Sequence, residues 1–253
     1  MILKVESFLF FFKKQAKKER KIKMYREAEM SNASVLEFAT QCVSMGENLI
    51  FIKDALRRAF AEALGQNSEL TLADSQGILA DWHKFYQDVF NLEVDFSTIQ
   101  ISPHQQDFDR VLVIAQGLTL NQVYDACLNN FPSQKYGANL DQAVTKNDRN
   151  TAITYAIRIR DRVEADEELK NFSADDLAKQ NIKGVTLLER LIYEFKYFKE
   201  TGKHLDVVNI TLCAGSRRSD GYVPRVDWDD GRLSVDWCHP DFSFAPLRSR
   251  AAV

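Results

Sequence analysis

Apolar residues recur along this chain with two different periods, and the change from one to the other divides it. Ser34-x-x-Glu37 has the spacing of a capping box, and Val35, Ala39, Cys42, Leu49, Leu56 and Phe60 follow at helical intervals up to Gly65. After Thr71-x-x-Asp74, a second stripe of Ile78, Leu79, Trp82, Phe85, Tyr86, Val89 and Phe90 returns about every 3.6 residues. Residues 30–95 therefore read as a helical hairpin that buries these stripes against something else.

Beyond residue 105 the strand period takes over. Val111, Leu112, Val113, Ile114 and Ala115 form an unbroken apolar run, the pattern of a strand covered on both faces. Thr119-x-x-Gln122 then caps a helix, stapled by Leu118 and Val123, with Leu120, Val123, Tyr124, Cys127, Leu128 and Phe131 toward the core. Pro132 ends it, and residues 133–150 are polar and turn-rich. Ile153, Tyr155, Ile157 and Ile159 alternate with Thr154, Ala156, Arg158 and Arg160, which predicts a half-buried strand. Ser173-x-x-Asp176 opens a short helix. Thr186-x-x-Glu189 opens a longer one that buries Leu187, Leu188, Leu191, Ile192, Phe195 and Phe198 and ends at Gly202. Its far face carries Arg190–Glu194 and Lys196–Glu200 at i, i+4 spacing.

Val208, Ile210 and Leu212 predict the next strand, and residues 223–238 predict a hairpin down to its register. Asp230-Gly231 is a two-residue turn signal. Pairing Asp229 with Arg232 sets Trp228 opposite Leu233, Val226 opposite Val235 and Pro224 opposite Trp237 on one face. The other face then carries Arg225 opposite Asp236 and Asp227 opposite Ser234. Residues 247–253 add an edge strand. The fold class is α+β: an N-terminal helical hairpin followed by a mainly antiparallel sheet packed with helices, with residues 105–253 as the α+β domain.

Charge changes the picture only at the start of the chain. The net charge is −3, yet residues 1–30 hold nine Lys/Arg against four Glu, so the rest carries −8. An acidic body argues against non-specific nucleic-acid binding, which needs basic surface, and leaves room for a local basic patch. Phe8, Leu9, Phe10, Phe11 and Phe12, followed by Lys13 and Lys14, are too short a run to span a bilayer. Residues 1–29 are expected to be a disordered extension or a translated upstream segment, with the natural start at Met30. Cys42, Cys127, Cys213 and Cys238 form no CxxC pair, as in a protein with reduced thiols in the cytoplasm.

Six stretches carry a family resemblance: LTLADSQGILADWH (residues 70–83), FDRVLVIAQGLTLNQVYDAC (108–127), RDRVEADEELKN (160–171), TLLERLIYEFKYFKETGKHLD (186–206), TLCAGSRRSDGYVPRVDW (211–228) and LRSRAAV (247–253). Together they resemble a family of uncharacterised proteins predicted from genomes of uncultivated candidate-phylum bacteria, over roughly Met30 to the end. Ser133-Gln134 stands where that family tends to have Cys-Trp. The resemblance implies a bacterial protein without a transmembrane segment and supplies no catalytic residue.

Candidate chemistry is confined to two clusters. Asp161, Glu164 and Asp166, among further acids and beside Arg158, Arg160 and Arg162, have the composition of a Mg²⁺ site; a helix over residues 163–170 would set Glu164 and Glu168 on one face. The bland alternative is a solvated helix start. Ser216, Arg217 and Arg218, just after Cys213-Ala214-Gly215, have the composition of an anion-binding turn, although a loop with Gly and Ser is more often only a loop. The spacing from Cys213 to Arg218 is one residue short of the tyrosine-phosphatase pattern. His204, Cys213, Cys238 and His239 do not combine into a zinc set, since Cys238 and His239 would point to opposite faces. No HExxH, GxSxG, Walker or dinucleotide fingerprint appears, so no metal or cofactor is expected. The reading that follows is a non-catalytic interaction or regulatory module for a protein or small anionic ligand. The alternative is a metal-dependent hydrolase of phosphate esters or nucleic acid using Asp161, Glu164 and Asp166.

Overall fold

The computed structural model describes residues 72–97 and 99–253; the first arm of the expected helical hairpin and residues 1–29 lie outside the described residues. The helices are α1 (Leu72–Phe90), α2 (Leu120–Asn130), α3 (Leu140–Ala143), α4 (Ala174–Lys179) and α5 (Leu187–Thr201). The strands are β1 (Arg110–Ile114), β2 (Ser133–Lys135), β3 (Val144–Asn147), β4 (Tyr155–Ile159), β5 (Ile210–Leu212), β6 (Ser216–Arg218), β7 (Val223–Asp229), β8 (Arg232–Cys238) and β9 (Leu247–Ser249). A central sheet runs β2-β8-β7-β5-β9, and β1-β4 and β3-β6 form two antiparallel pairs.

The β7–β8 hairpin adopts the register read from the sequence, from Val223 opposite Cys238 to Asp229 opposite Arg232. Asp230 and Gly231 both take positive φ (49° and 73°), as a two-residue turn matching the strand twist requires. Four of the six strand pairs are antiparallel, but both outer strands of the central sheet join parallel, β2 to β8 and β9 to β5. Parallel neighbours need long returns through other elements, so local turn signals could not announce them. One face of the sheet presents Val226, Leu233 and Val235 to the main core, with α2, α5 and β1. Its other face packs Leu212, Val223 and Cys238 against Leu169, Ala174 and Leu177.

Helix α1 belongs to that same main core through Trp82, Phe85 and Tyr86. The Tyr86 hydroxyl donates to the Val113 carbonyl (2.6 Å) and accepts from the Ala115 amide (3.2 Å), so a side chain completes main-chain bonding at the end of β1. Capping boxes form at Thr119/Gln122, Ser173/Asp176 and Thr186/Glu189, and Gly202 ends α5 in the left-handed conformation.

Several local expectations are corrected. Leu128 is 49% exposed on α2 rather than facing the core. Ile153 and Val208 lie outside their strands, in exposed loops. Residues 163–170 form only a 3₁₀ turn at Glu167–Leu169, so Glu164 and Glu168 share no helix face. Residues 133–150, read as irregular, contain β2, α3 and β3. The largest correction is on α5: Arg190 and Glu194 pair at 2.8 Å, but both side chains are completely buried instead of lying on a solvent face.

The polar face of the hairpin carries a titration. Burial, with Asp229 adding, pushes Asp227 up from 3.8 to about 6, against the pull of Arg225. The folded state therefore holds this proton more tightly than the unfolded chain. The stability this group contributes is full below about pH 4 and is lost as pH rises through about 6. At this half-exposed site the expected loss is about 1–2 kcal/mol after solvent screening. Asp227→Asn should flatten the slope and unfold at higher urea than wild type at neutral pH; identical pH profiles in urea titrations would contradict it.

Candidate functional site

The two clusters picked out from the sequence are taken apart by the fold. Asp161 accepts from the Tyr193 hydroxyl at 3.3 Å. Glu164 accepts from the backbone amides of Val207, Val208 and Asn209 (3.2, 3.2 and 2.9 Å) and from the Asn209 side-chain amide (2.9 Å). Its carboxylate is the anchor of the loop leading into β5. Asp166 is buried and accepts from Arg160 (2.6 Å) and from the Ala251 amide (2.8 Å), holding the segment that follows β9. The three carboxylates thus serve three different donor sets, and no group of three His, Cys, Asp or Glu among the described residues is arranged to hold a metal. Glu168, bound by Arg162 at 2.6 and 2.9 Å, is pulled down to about 2 mainly by that contact.

Ser216, Arg217 and Arg218 alternate along β6 and so diverge. The buried Ser216 hydroxyl donates to Asn147 (2.5 Å) and accepts from the Leu187 amide (2.9 Å), satisfying the first turn of α5. Arg218 pairs with Asp220 (2.9 Å) and lies over the rings of Trp237 and Tyr222. Of the three, Arg217 lines the cavity between β3, β6 and α4.

That cavity has a volume of about 210 Å³. Ala174, Leu177, Ala178, Ile182 and Ala214 supply the apolar part of its lining. Lys146, Lys183 and Arg217 stand around it with Asp148 and Asn181. Lys146 and Arg217 are direct cross-strand partners of the β3–β6 pair, so their side chains leave the same face. Like charges so placed repel, and none of the three cations forms an ion pair among the described residues. The Arg217 Nη1 donates to the carbonyls of Ala214 (2.7 Å) and Ser216 (2.8 Å), which fixes the guanidinium and leaves Nε and Nη2 without a partner among the described residues. Burial pulls Arg217 below its usual value, and the fields of Asp148 and Asp175 oppose this. Lys146 and Lys183 carried no signal in the sequence, because β3 lies in the stretch read as irregular. Arg217, the cross-strand partner of Lys146, comes from 71 residues further on.

No protein-family profile, curated protein or solved structure matches the chain.

Of the remaining candidates, His204, Cys213 and Cys238 pack inside the fold and His239 is exposed. The His204 ring lies flat on Trp228 with 3.3 Å between centroids, and its Nδ1 faces Glu194 at 2.9 Å. His239 pairs with Asp241. The thiols of Cys213 and Cys238 are buried, and burial pushes both up, Cys238 to about 11, which makes them inert rather than nucleophilic. Among the described residues, no helix is long and apolar enough to cross a membrane.

Proposed function

We propose that this chain is a non-catalytic binding module whose ligand is a small anion held between Lys146, Lys183 and Arg217. The observation that carries this reading is the Lys146–Arg217 cross-strand pair, two like charges on one face beside a cavity without an ion-paired carboxylate. Elsewhere arginines are paired generously: Arg149, Arg160, Arg162, Arg190, Arg225 and Arg250 each meet a carboxylate. An uncompensated pair of this kind costs the empty protein stability and is repaid when an anion bridges it. A reducing, cytoplasmic setting fits the three buried thiols of Cys127, Cys213 and Cys238.

The test has two signs. Phosphate, compared with chloride at equal ionic strength, should raise the melting temperature of the full chain by mass action, worth about 2.7 kcal/mol at about a hundred times its Kd. Lys146→Glu replaces repulsion by attraction across the strands. It should stabilise the ligand-free protein by about 0.2–1 kcal/mol and abolish the response to phosphate. A variant that is less stable than wild type, or that still responds, would overturn the reading.

A further inference from the structure

The anion-binding reading, on which this inference rests, leaves half of the cavity without a task. Ala174, Leu177, Ala178, Ile182 and Ala214 offer nothing to a bare ion, and an ion alone would leave this apolar lining wet. The rim sets three cations against the single carboxylate of Asp148, a surplus of two charges. A carboxylate ligand would neutralise half of that surplus. A phosphate monoester carries about −1.5 to −2 at neutral pH and three acceptor oxygens.

The donors suit such a group. Lys146 and Lys183 are compact point charges with rotatable donors. Arg217, with Nη1 committed to two carbonyls, presents Nε and Nη2 from a fixed plane, the fork that meets two phosphate oxygens. Asp148 only accepts when ionised. It repels a phosphate oxygen and receives a hydroxyl, so it orients a ligand that carries both. The volume of about 210 Å³ falls below the ~300–1,000 Å³ of drug-sized sites, which limits the carbon body to a few atoms.

We infer that the cavity takes a small organic phosphomonoester bearing a free hydroxyl. Its phosphate sits among Lys146, Lys183 and Arg217, its hydroxyl faces Asp148, and its carbon body covers the apolar lining at Ala174, Leu177 and Ile182.

Titration calorimetry of the full chain with glycerol 3-phosphate, inorganic phosphate, succinate and glycerol tests this. Glycerol 3-phosphate should bind at least ~10-fold tighter than inorganic phosphate, since even one buried methylene discriminates by this order. Succinate should be weaker than both, and glycerol should give no heat. Lys183→Gln, at an exposed position, and Arg217→Gln should each weaken the ester, while Asp148→Asn should narrow its advantage over inorganic phosphate. Melting curves of each variant without ligand separate lost binding from lost folding. Equal affinity for ester and inorganic phosphate, or tighter binding of succinate, would overturn the inference and leave the anion site standing. Absence of binding by all three anions would overturn the site as well.

Discussion

Replacing Asp206 by Ala is expected to remove about 3–5 kcal/mol of stability, the cost of leaving buried charges without their partner. The Asp206 carboxylate is completely buried, and every bond it accepts comes from a different part of the chain. Arg190 of α5 donates at 3.0 Å, Arg250 beyond β9 at 2.7 Å and the Ala165 amide at 2.8 Å, and the Thr211 hydroxyl of β5 completes the set. Burial alone would lower Arg190, yet Asp206 and Glu194 hold it above its usual value, so the cation depends on these two acids. Glu194 would keep Arg190 compensated at 2.8 Å in the variant. Arg250 would retain only the carbonyls of Arg162 and Val163 and the Thr211 hydroxyl. A domain is typically stable by ~5–15 kcal/mol, so the variant should sit near its unfolding threshold. Urea unfolding with an unchanged m-value and a sharply lower midpoint is the expected record. A loss below about 1 kcal/mol would mean that water reaches the network.

Gly215→Ala is expected to destabilise by about 1–3 kcal/mol or more and to blunt the response to phosphate. A Cβ at Gly215 would lie 2.8 Å from the Gly184 carbonyl oxygen and 3.1 Å from the Val185 carbonyl carbon. Both are backbone atoms and cannot rotate away. The neighbouring chain is pinned on all sides. The Gly215 amide donates to Val185, the Asp148 amide donates to Gly215, and Arg149 donates to Gly184 while pairing with Glu189. Relief of the clash must therefore shift β6 relative to the start of α5, and β6 carries Arg217. Melting temperatures with and without phosphate measure both effects. Wild-type stability would show that the two segments separate at little cost.

The Asp230-Gly231 turn and the Arg190–Glu194 pair show what a sequence conveys and what it withholds. At the Asp230-Gly231 turn everything needed is local. Two positive-φ positions fix the loop, alternation on either side fixes the faces, and the observed register follows. The capping boxes of α2, α4 and α5 are equally local, each closed within four residues. Arg190 and Glu194 mark the limit of such reasoning. Their i, i+4 spacing correctly predicts that they meet, but it holds no information about whether that face meets water. Asp206, Arg250 and the hairpin decide that, and they approach only in the folded chain.

The sequence by itself thus determined the hairpin and its register, the capped starts of three helices, the doubly covered strand β1 and the α+β class, because each is written in contacts a few residues long. Only the tertiary structure decided the rest. Two parallel edge strands joined the central sheet. Asp161, Glu164 and Asp166 went to separate structural donors, and Ser216, Arg217 and Arg218 were divided between the two faces of β6. Lys146 and Lys183 were brought to Arg217 around one cavity. Short polar strands such as β3 and β6 pair through their main chains, which are the same for every residue type. Their partners are chosen by the closure of the whole fold, and no local pattern records the choice.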